Sequence, residues 1–415
     1  MSVIRLLRDG EFGEFLRIRL NAYPAMYTTA PTEEQRANWI ESMKTRQSEE
    51  GATRYYGCFR EEKLVGCMIL DDFRMTLYDG HILVGGVGDV CVDLLRKKEH
   101  VAKEMMEYFH KHYREKGACL TALYPFRPDF YRKMGYGYGA KMSQYRFRPD
   151  DLPSGPKERV SYLDQSHLKL VWDCYNRYAG QTHGMIEAKE VFFKQLLQRF
   201  KVIGYKKGDS VEGFLAFNFK KLSEEHQLLQ DIAIRLLVYE NPEALMALLG
   251  FLRSQSDQVN RIRLNTMDED FHFLLQDPRN GNPHMFHTSQ ESNVQGVGIM
   301  YRVINTAKLF QELRGHNFNG QSLRVKLNVV DTFLPENNGP VTVNFVKGVP
   351  KLTDGSAHDV EATLDVSWFS SLIMGVIDMR KLWEFKLVRL SDKSYLDRLD
   401  RLFHSAKKPV TIEDF

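Results

Sequence analysis

One stretch limits the folds open to this chain more than any other: residues 84–139, VGGVGDVCVDLLRKKEHVAKEMMEYFHKHYREKGACLTALYPFRPDFYRKMGYGYG. Val84 to Val92 is short, apolar and β-branched, the composition of a buried strand. From Val101 the period changes. Val101, Met105 and Phe109 recur four apart, with Ala102 and Met106 beside them, which is one face of a helix. Gly117 stops that helix, and Ala118 to Leu123 is a second apolar strand. Strand, helix and strand in this order predict a right-handed crossover between parallel strands. Between strand and helix stand Arg96, Lys97 and Lys98. Cations at a helix N-terminus oppose the macrodipole by about 0.3–1 kcal/mol each when exposed. They fit if an anion sits there, because free N–H groups with cations beside them make a phosphate site. A solvated basic turn is the other reading of this turn taken alone.

With 415 residues the chain has room for roughly two to four domains. A hydrophobic content of 43% supports a large core and excludes a disordered chain. The net charge of +3 is too balanced to imply nucleic acid. No apolar run approaches the ~20 residues of a membrane span, and the N-terminus lacks a signal-peptide core. Cys58, Cys67, Cys91, Cys119 and Cys174 form no CxxC pair. Mostly inside apolar strands, they read as reduced, buried thiols of a cytoplasmic protein, and none reads as a nucleophile. His81, His110 and His112 show no metal-ligand spacing, so no metal is expected.

Ahead of this stretch come a strand at Val3 to Leu6, a helix from Glu11, and a second helix from Thr32 to Met43. Strands Thr53 to Phe59 and Lys63 to Phe73 flank a polar hairpin turn. Ser143 to Arg148 closes this first unit, and the polar DDLPSGPKE is a linker. After it, two helices (Ser166 to Tyr178, Glu187 to Phe200), strands at Val202 to Lys206, Ser210 to Phe219 and Gln227 to Tyr239, a helix from Pro242 and a strand at Ile262 to Asn265 echo the first order. Glu240-Asn241-Pro242-Glu243 replaces the basic turn, so the repeat lacks the phosphate site. A third unit holds Ile299 to Val303 as a strand, a helix from Thr306, strands Gln321 to Asp331 and Pro340 to Lys347, and helices Val366 to Met374 and Lys393 to Phe403. Its end, Glu413-Asp414-Phe415, is either frayed or docked.

Five motifs stand in order: Val90-Cys91-Val92 with Arg96-Lys97-Lys98, FYRKMGYG from Phe130, YRVIN from Tyr301, DTFLPENNG from Asp331, and the terminal EDF. In these the chain resembles the Eis-type (enhanced intracellular survival) N-acetyltransferases of the GNAT superfamily. The resemblance implies an α/β (α+β) protein with two tandem GNAT-like mixed-sheet domains and a sterol-carrier-protein-like α+β domain. The expected bounds are 1–148 for the active acetyl-CoA-binding domain, 149–290 for a degenerate copy and 291–415 for the sterol-carrier-like domain. It further implies an acetyl-CoA-dependent enzyme that acetylates primary amines of aminoglycosides, polyamines or lysine by direct attack in a ternary complex. The acetyl-CoA co-substrate would contact Val90, Cys91, Val92, Lys97, Lys98, Glu99, His100, Val101, Ala102, Lys103, Phe126 and Arg127. One departure stands out. The family pattern R/Q-x-x-G-x-G/A reads Lys97-x-x-His100-x-Ala102 here, and glycine is the residue that lets backbone approach phosphate closely.

By the same resemblance Tyr131 is the general acid. Its reference pKa of about 10 lies above the roughly 8.5 of a thiol, so it donates to a forming thiolate without being ionised. The α-carboxylate of Phe415 matches the base, and Asp414 adds charge that attracts a cationic amine. Tyr23, Tyr27, Trp39 and Phe73 are candidate walls of the acceptor pocket, suited to cation–π contact. The implied partners are a small-molecule amine and copies of the chain in a homo-oligomer, often a hexamer, without nucleic acid or membrane. The competing reading is a non-catalytic protein whose third unit holds a lipid, with Trp368, Phe369, Leu372, Ile373 and Met374 lining the cavity.

Overall fold

The structure, a computed structural model, describes residues 2–27, 29–48, 53–226, 228–355 and 357–412. The chain begins with β1 (Val3–Leu6), α1 (Phe12–Ala22), α2 (Glu33–Ser48), β2 (Arg54–Arg60), β3 (Lys63–Leu77), β4 (Gly80–Val92), α3 (Val101–Glu115), β5 (Leu120–Leu123), α4 (Pro128–Arg132) and β6 (Gly137–Tyr138). The middle holds β7 (Lys141–Phe147), β8 (Val160–Leu163), α5 (Leu168–Gln181), α6 (Glu190–Arg199), β9 (Lys201–Lys207), β10 (Ser210–Lys221), β11 (Gln230–Tyr239), α7 (Pro242–Arg253), β12 (Val259–Thr266), β13 (Met285–Phe286), β14 (Ser289–Gln290) and β15 (Asn293–Val297). The last part holds β16 (Met300–Val303), α8 (Thr306–Glu312), β17 (Leu323–Val330), β18 (Gly339–Val346), β19 (Val349–Thr353), β20 (Val360–Asp365), α9 (Val366–Ile373), α10 (Met379–Glu384), β21 (Val388–Leu390) and α11 (Leu396–Phe403). No helix among the described residues is long and apolar enough to cross a membrane.

These elements form two bodies, one of residues 2–139 and 299–407, the other of residues 140–298 and 408–412. In the first body, among the described residues, a seven-stranded sheet runs β1-β2-β3-β4-β5-β16-β6 and a five-stranded sheet runs β19-β18-β17-β20-β21. The expected crossover is present: β4 and β5 pair in parallel, joined by α3. As its apolar stripe requires, α3 buries Val101, Met105, Met106, Phe109 and Tyr113 against the sheet. The stripe also holds His110, fully buried, whose Nε2 shares a hydrogen bond of 3.0 Å with Tyr136 Oη while Nδ1 has no partner.

The second body repeats the plan. β9, β10 and β11 run antiparallel, and β12 joins β11 in parallel after α7, as β5 joins β4 after α3. Here Asn241 caps the helix by accepting from Ala244 N, and Pro242 removes one of the free N–H groups a phosphate would need. In this body the chain's end is held by Val410 N donating to His183 O at 2.8 Å and by Lys408 on Glu269 at 2.8 Å.

Two strands differ from their sequence-based places. The strand expected to close the first unit, β7, pairs with β12 and β15 in the second body. The strand expected to open the third unit, β16, enters the first sheet between β5 and β6, with Tyr301 opposite both Ala122 and Gly137. Both segments alternate as strands should, but pairing is set by distant partners that local pattern does not encode.

The insertion explains three motifs. Gly135 has φ +84°, and a Cβ there would lie 2.7 Å from Arg302 Nη1. At Gly137 a Cβ would lie 2.1 Å from Ser367 O, so the glycines of FYRKMGYG let β16 and α9 pack closely. Arg302 of YRVIN pairs with Asp331 of DTFLPENNG at 2.9 and 3.0 Å, both side chains 0% exposed. Asp331 also accepts from Leu334 N and Asn337 Nδ2, so the buried carboxylate is hydrogen-bonded on several sides. Of the residues expected to line a lipid cavity, Phe369, Leu372, Ile373 and Met374 are packed as core, and Trp368 lies under the Arg132 guanidinium, 3.5 Å from its ring centre.

Candidate active site

β4 and β5 pair only from Val84–Leu120 to Gly86–Ala122. Beyond Gly86, β4 continues to Val92 bonded to β3 alone, so its other edge faces open space. A cleft of about 640 Å³ occupies the gap. Val90 and Val92 form one wall, and Phe126, Phe130 and Tyr131, after β5, form the other. The loop from Arg96 to Lys103 closes one end, and Ala22 and Tyr23 at the end of α1 line the cleft as well. Strand alternation sends the Cys91 side chain to the other face, into the cluster beneath α1 with Cys67.

The loop gathers cations and unpaired N–H groups beside the cleft. Asp93 caps the short turn after β4 by accepting from Leu95 N at 2.9 Å, and Arg17 binds its carboxylate at 2.6 Å. Both partners hold that carboxyl below its ordinary range. Lys98 and His100 then adopt positive φ, +67° and +64°. His100 is the residue before α3, so its left-handed backbone turns the chain into the helix with the first N–H groups of α3 unpaired. Arg96 pairs with Glu99 at 3.7 Å, and Glu99 also binds Arg60, away from the cleft. Lys97 and Lys98 have no ion-pair partner among the described residues, so two uncompensated cations line the same cleft as the start of α3. That donor set fits a pyrophosphate.

On the wall after β5, Tyr131 is 4% exposed, with its ring edge-on to Phe130 and Phe126 at 5.2 and 6.3 Å. Burial pushes its phenol above the usual tyrosine range. No protein group among the described residues hydrogen-bonds its hydroxyl, which leaves that proton for a ligand. Tyr23 donates its hydroxyl to the Val90 carbonyl at 3.1 Å, and burial raises its phenol likewise.

Of the residues expected to bind co-substrate, Val90, Val92, Lys97, Lys98, His100, Val101, Ala102, Lys103, Phe126 and Arg127 line one cleft. Cys91 and Glu99 do not line it with their side chains. Of the expected acceptor wall, Tyr23 lines the cleft. Tyr27 packs on Trp39 at 5.7 Å instead, and Phe73 covers Gly86, where a Cβ would be 2.0 Å from its ring. Asp414 and Phe415 lie outside the described residues. Sequence reasoning missed Ala22 and Phe130, and Arg19, whose Nε lies 2.5 Å from Asp89 beside the cleft. A left-handed Asp89 inside a strand carries no sequence signal, so its partner could not be read.

Comparison with known families agrees with this geometry. Models of the acetyltransferase (GNAT) domain match residues 3–139 and 184–303, and the sterol carrier protein domain matches residues 308–412. A comparison with curated proteins returns no match. Among solved structures, the chain is similar to a GCN5-related N-acetyltransferase from Anabaena variabilis, 16% identical, TM-score 0.81, each chain covered in full. Eis1 from Mycobacterium abscessus is 17% identical with TM-score 0.78, again over the whole of both chains. A GCN5-related N-acetyltransferase from Kribbella flavida is 17% identical with TM-score 0.77, covering 100% of this chain and 98% of that one. At these identities the likeness is one of fold.

Proposed function

We propose that this chain, which belongs to the GNAT acetyltransferases of the three-domain Eis type, moves an acetyl group from acetyl-CoA to a primary amine by direct attack in a ternary complex. The observation that carries this reading is the parting of β4 from β5, with a basic loop and a buried tyrosine both lining the gap. Acetyl-CoA, when bound, supplies an activated thioester. Lys97, Lys98 and the N–H groups from residue 98 to 103 hold its pyrophosphate. The free main-chain edge at Val90 and Val92 holds the pantetheine arm and offers N–H donors to the carbonyl oxygen, where charge grows during attack.

Tyr131 donates a proton to the departing thiolate. Because burial raises its phenol, it stays protonated across the working pH range and so remains a donor. The Phe415 carboxylate takes the proton of the attacking amine, directly or through water, and Asp414 draws a cationic acceptor toward it. The acceptor class is amine-rich: polyamines, aminoglycosides or lysine side chains. We extend the reading to a homo-oligomer in the cytoplasm.

The test is an acetyl-CoA assay over a panel of polyamines and aminoglycosides. It compares the native C-terminus with a version extended past Phe415. Transfer by the native chain and its loss on extension are expected. Equal activity of both chains would remove the terminal carboxylate from the mechanism. Absence of thermal protection by millimolar acetyl-CoA would remove the reaction itself.

A further inference from the structure

The edge of β4 that faces the cleft is not a plain strand. Cys67 lies opposite Cys91 and Ile69 opposite Gly88, so Asp89 and Val90 together face Met68. This is a bulge, and Asp89 takes the left-handed conformation at its centre, φ +46°. Such a conformation costs an aspartate free energy and persists only where neighbours hold it. The neighbours are on α1. Arg19 Nε lies 2.5 Å from the Asp89 carboxylate as an ion pair, and Tyr23 Oη donates to the Val90 carbonyl at 3.1 Å. Arg19 and Tyr23 are four apart, and Tyr23 N donates to Arg19 O at 3.1 Å as the helix ends. One helix end therefore grips both residues of the bulge.

The grip matters for the charge the edge presents. A carbonyl pointing into the gap would repel an oxygen that is becoming negative, whereas N–H groups would stabilise it. With the Val90 carbonyl occupied by the Tyr23 hydroxyl, one acceptor of this edge is already satisfied. We propose that Arg19 and Tyr23 are positioning residues for acetyl transfer: they hold the Asp89–Val90 bulge so that β4 turns donors, not acceptors, toward the thioester carbonyl. This rests on the acetyl-transfer reading above and moves Tyr23 from the acceptor wall to the support of the reacting edge.

The experiment uses the full chain with Tyr23→Phe, Arg19→Lys and Arg19→Met. Steady-state kinetics are paired with amide hydrogen exchange of the segment from 87 to 93. Tyr23→Phe keeps the ring and removes only the hydroxyl. It should lower kcat about tenfold while the KM for acetyl-CoA stays within about threefold, the pattern of a lost transition-state interaction. Arg19→Met should behave the same way, and Arg19→Lys should keep most of the rate because it keeps the charge. Exchange in the segment should quicken in Tyr23→Phe and Arg19→Met without ligand. Unchanged exchange overturns the clamp whatever the activity. Quickened exchange with unchanged kcat overturns the positioning role. If exchange quickens but the unaltered chain transfers acetyl to no amine, the acetyl-transfer reading has failed. The positioning role falls with it, and the exchange data separate that outcome from a failed clamp.

Discussion

Replacing His100 by glycine should leave acetyl-CoA binding intact and make the protein slightly more stable. His100 stands at φ +64°, ψ +8°, the left-handed region. A side chain there costs about 1–2 kcal/mol, though histidine tolerates it better than most residues. Glycine relieves this but loses about 0.5–1 kcal/mol through its freer unfolded chain. The net gain is about 0–1 kcal/mol, a rise in melting temperature of about 0–4 °C for a domain of this size. The backbone is already in the conformation a glycine would take, so the first N–H groups of α3 keep their aim and the Kd for acetyl-CoA should stay within about threefold. His100→Val is the counterpart. A β-branched residue is a true outlier at positive φ, and about 1–2 kcal/mol of added local cost lowers the competent fraction, and hence affinity, by about 5–30-fold. Isothermal titration of acetyl-CoA and melts with and without ligand measure both. If His100→Gly weakens binding more than about tenfold, the imidazole itself is a ligand and the conformational argument fails. If His100→Val binds like the unaltered chain, the left-handed turn is not needed.

Tyr131→Phe should lower kcat by about 10²-fold with little change in KM, and pH–rate profiles of the unaltered chain should show no alkaline fall from this group below pH ~10, since its phenol is raised. Lys97→Ala with Lys98→Ala should raise the KM for acetyl-CoA by about tenfold, less so in high salt, because exposed charges are screened; an unchanged KM would place the phosphate elsewhere. His110 is buried with its pKa well below 6.5. Its unfolded form binds a proton as pH falls through 6.5 while the folded form does not, so the stability it contributes is full above 6.5 and is lost below it. His110→Phe should therefore flatten the acid limb of unfolding free energy against pH, read from denaturant melts, by up to about 1.4 kcal/mol per pH unit. Asp331→Asn should destabilise by about 3–5 kcal/mol in denaturant melts, since it strands the buried Arg302 charge.

What the sequence disclosed was local. The apolar strand ending at Val92, the stripe of Val101, Met105 and Phe109, and the stop at Gly117 fixed a strand–helix–strand unit, and the cations at its turn pointed to an anion. The echo in the middle of the chain was legible for the same reason, being a repeat of period and order. The fate of residues 141–147 and 300–303 was not, because a strand's partner is chosen by register and burial across the fold. Within the site, residue types marked Lys97 and Lys98, whereas Tyr131 followed only from the family resemblance. The left-handed turns at Asp89 and His100, and the Tyr23 hydroxyl bound to a carbonyl, are backbone facts with no compositional trace. Tyr27 and Trp39, expected as walls of the acceptor pocket, pack on each other and do not line this cleft.

The seat of β16 between β5 and β6 sets a timetable for making this enzyme. A ribosome that has finished β6 at Tyr138 must still translate the whole middle of the chain before Met300 to Val303 exist. At 5–20 residues per second that interval is on the order of ten seconds or more. Throughout it, Leu120 to Leu123 present an unsatisfied apolar edge that invites pairing with any passing strand. The cleft's Tyr131 wall lies between β5 and β6 in sequence, so the nascent chain should gain neither a settled site nor protease resistance until residue 303 has emerged. A ribosome-bound chain stalled at 280 should be far more protease-sensitive over residues 2–139 than one stalled at 340.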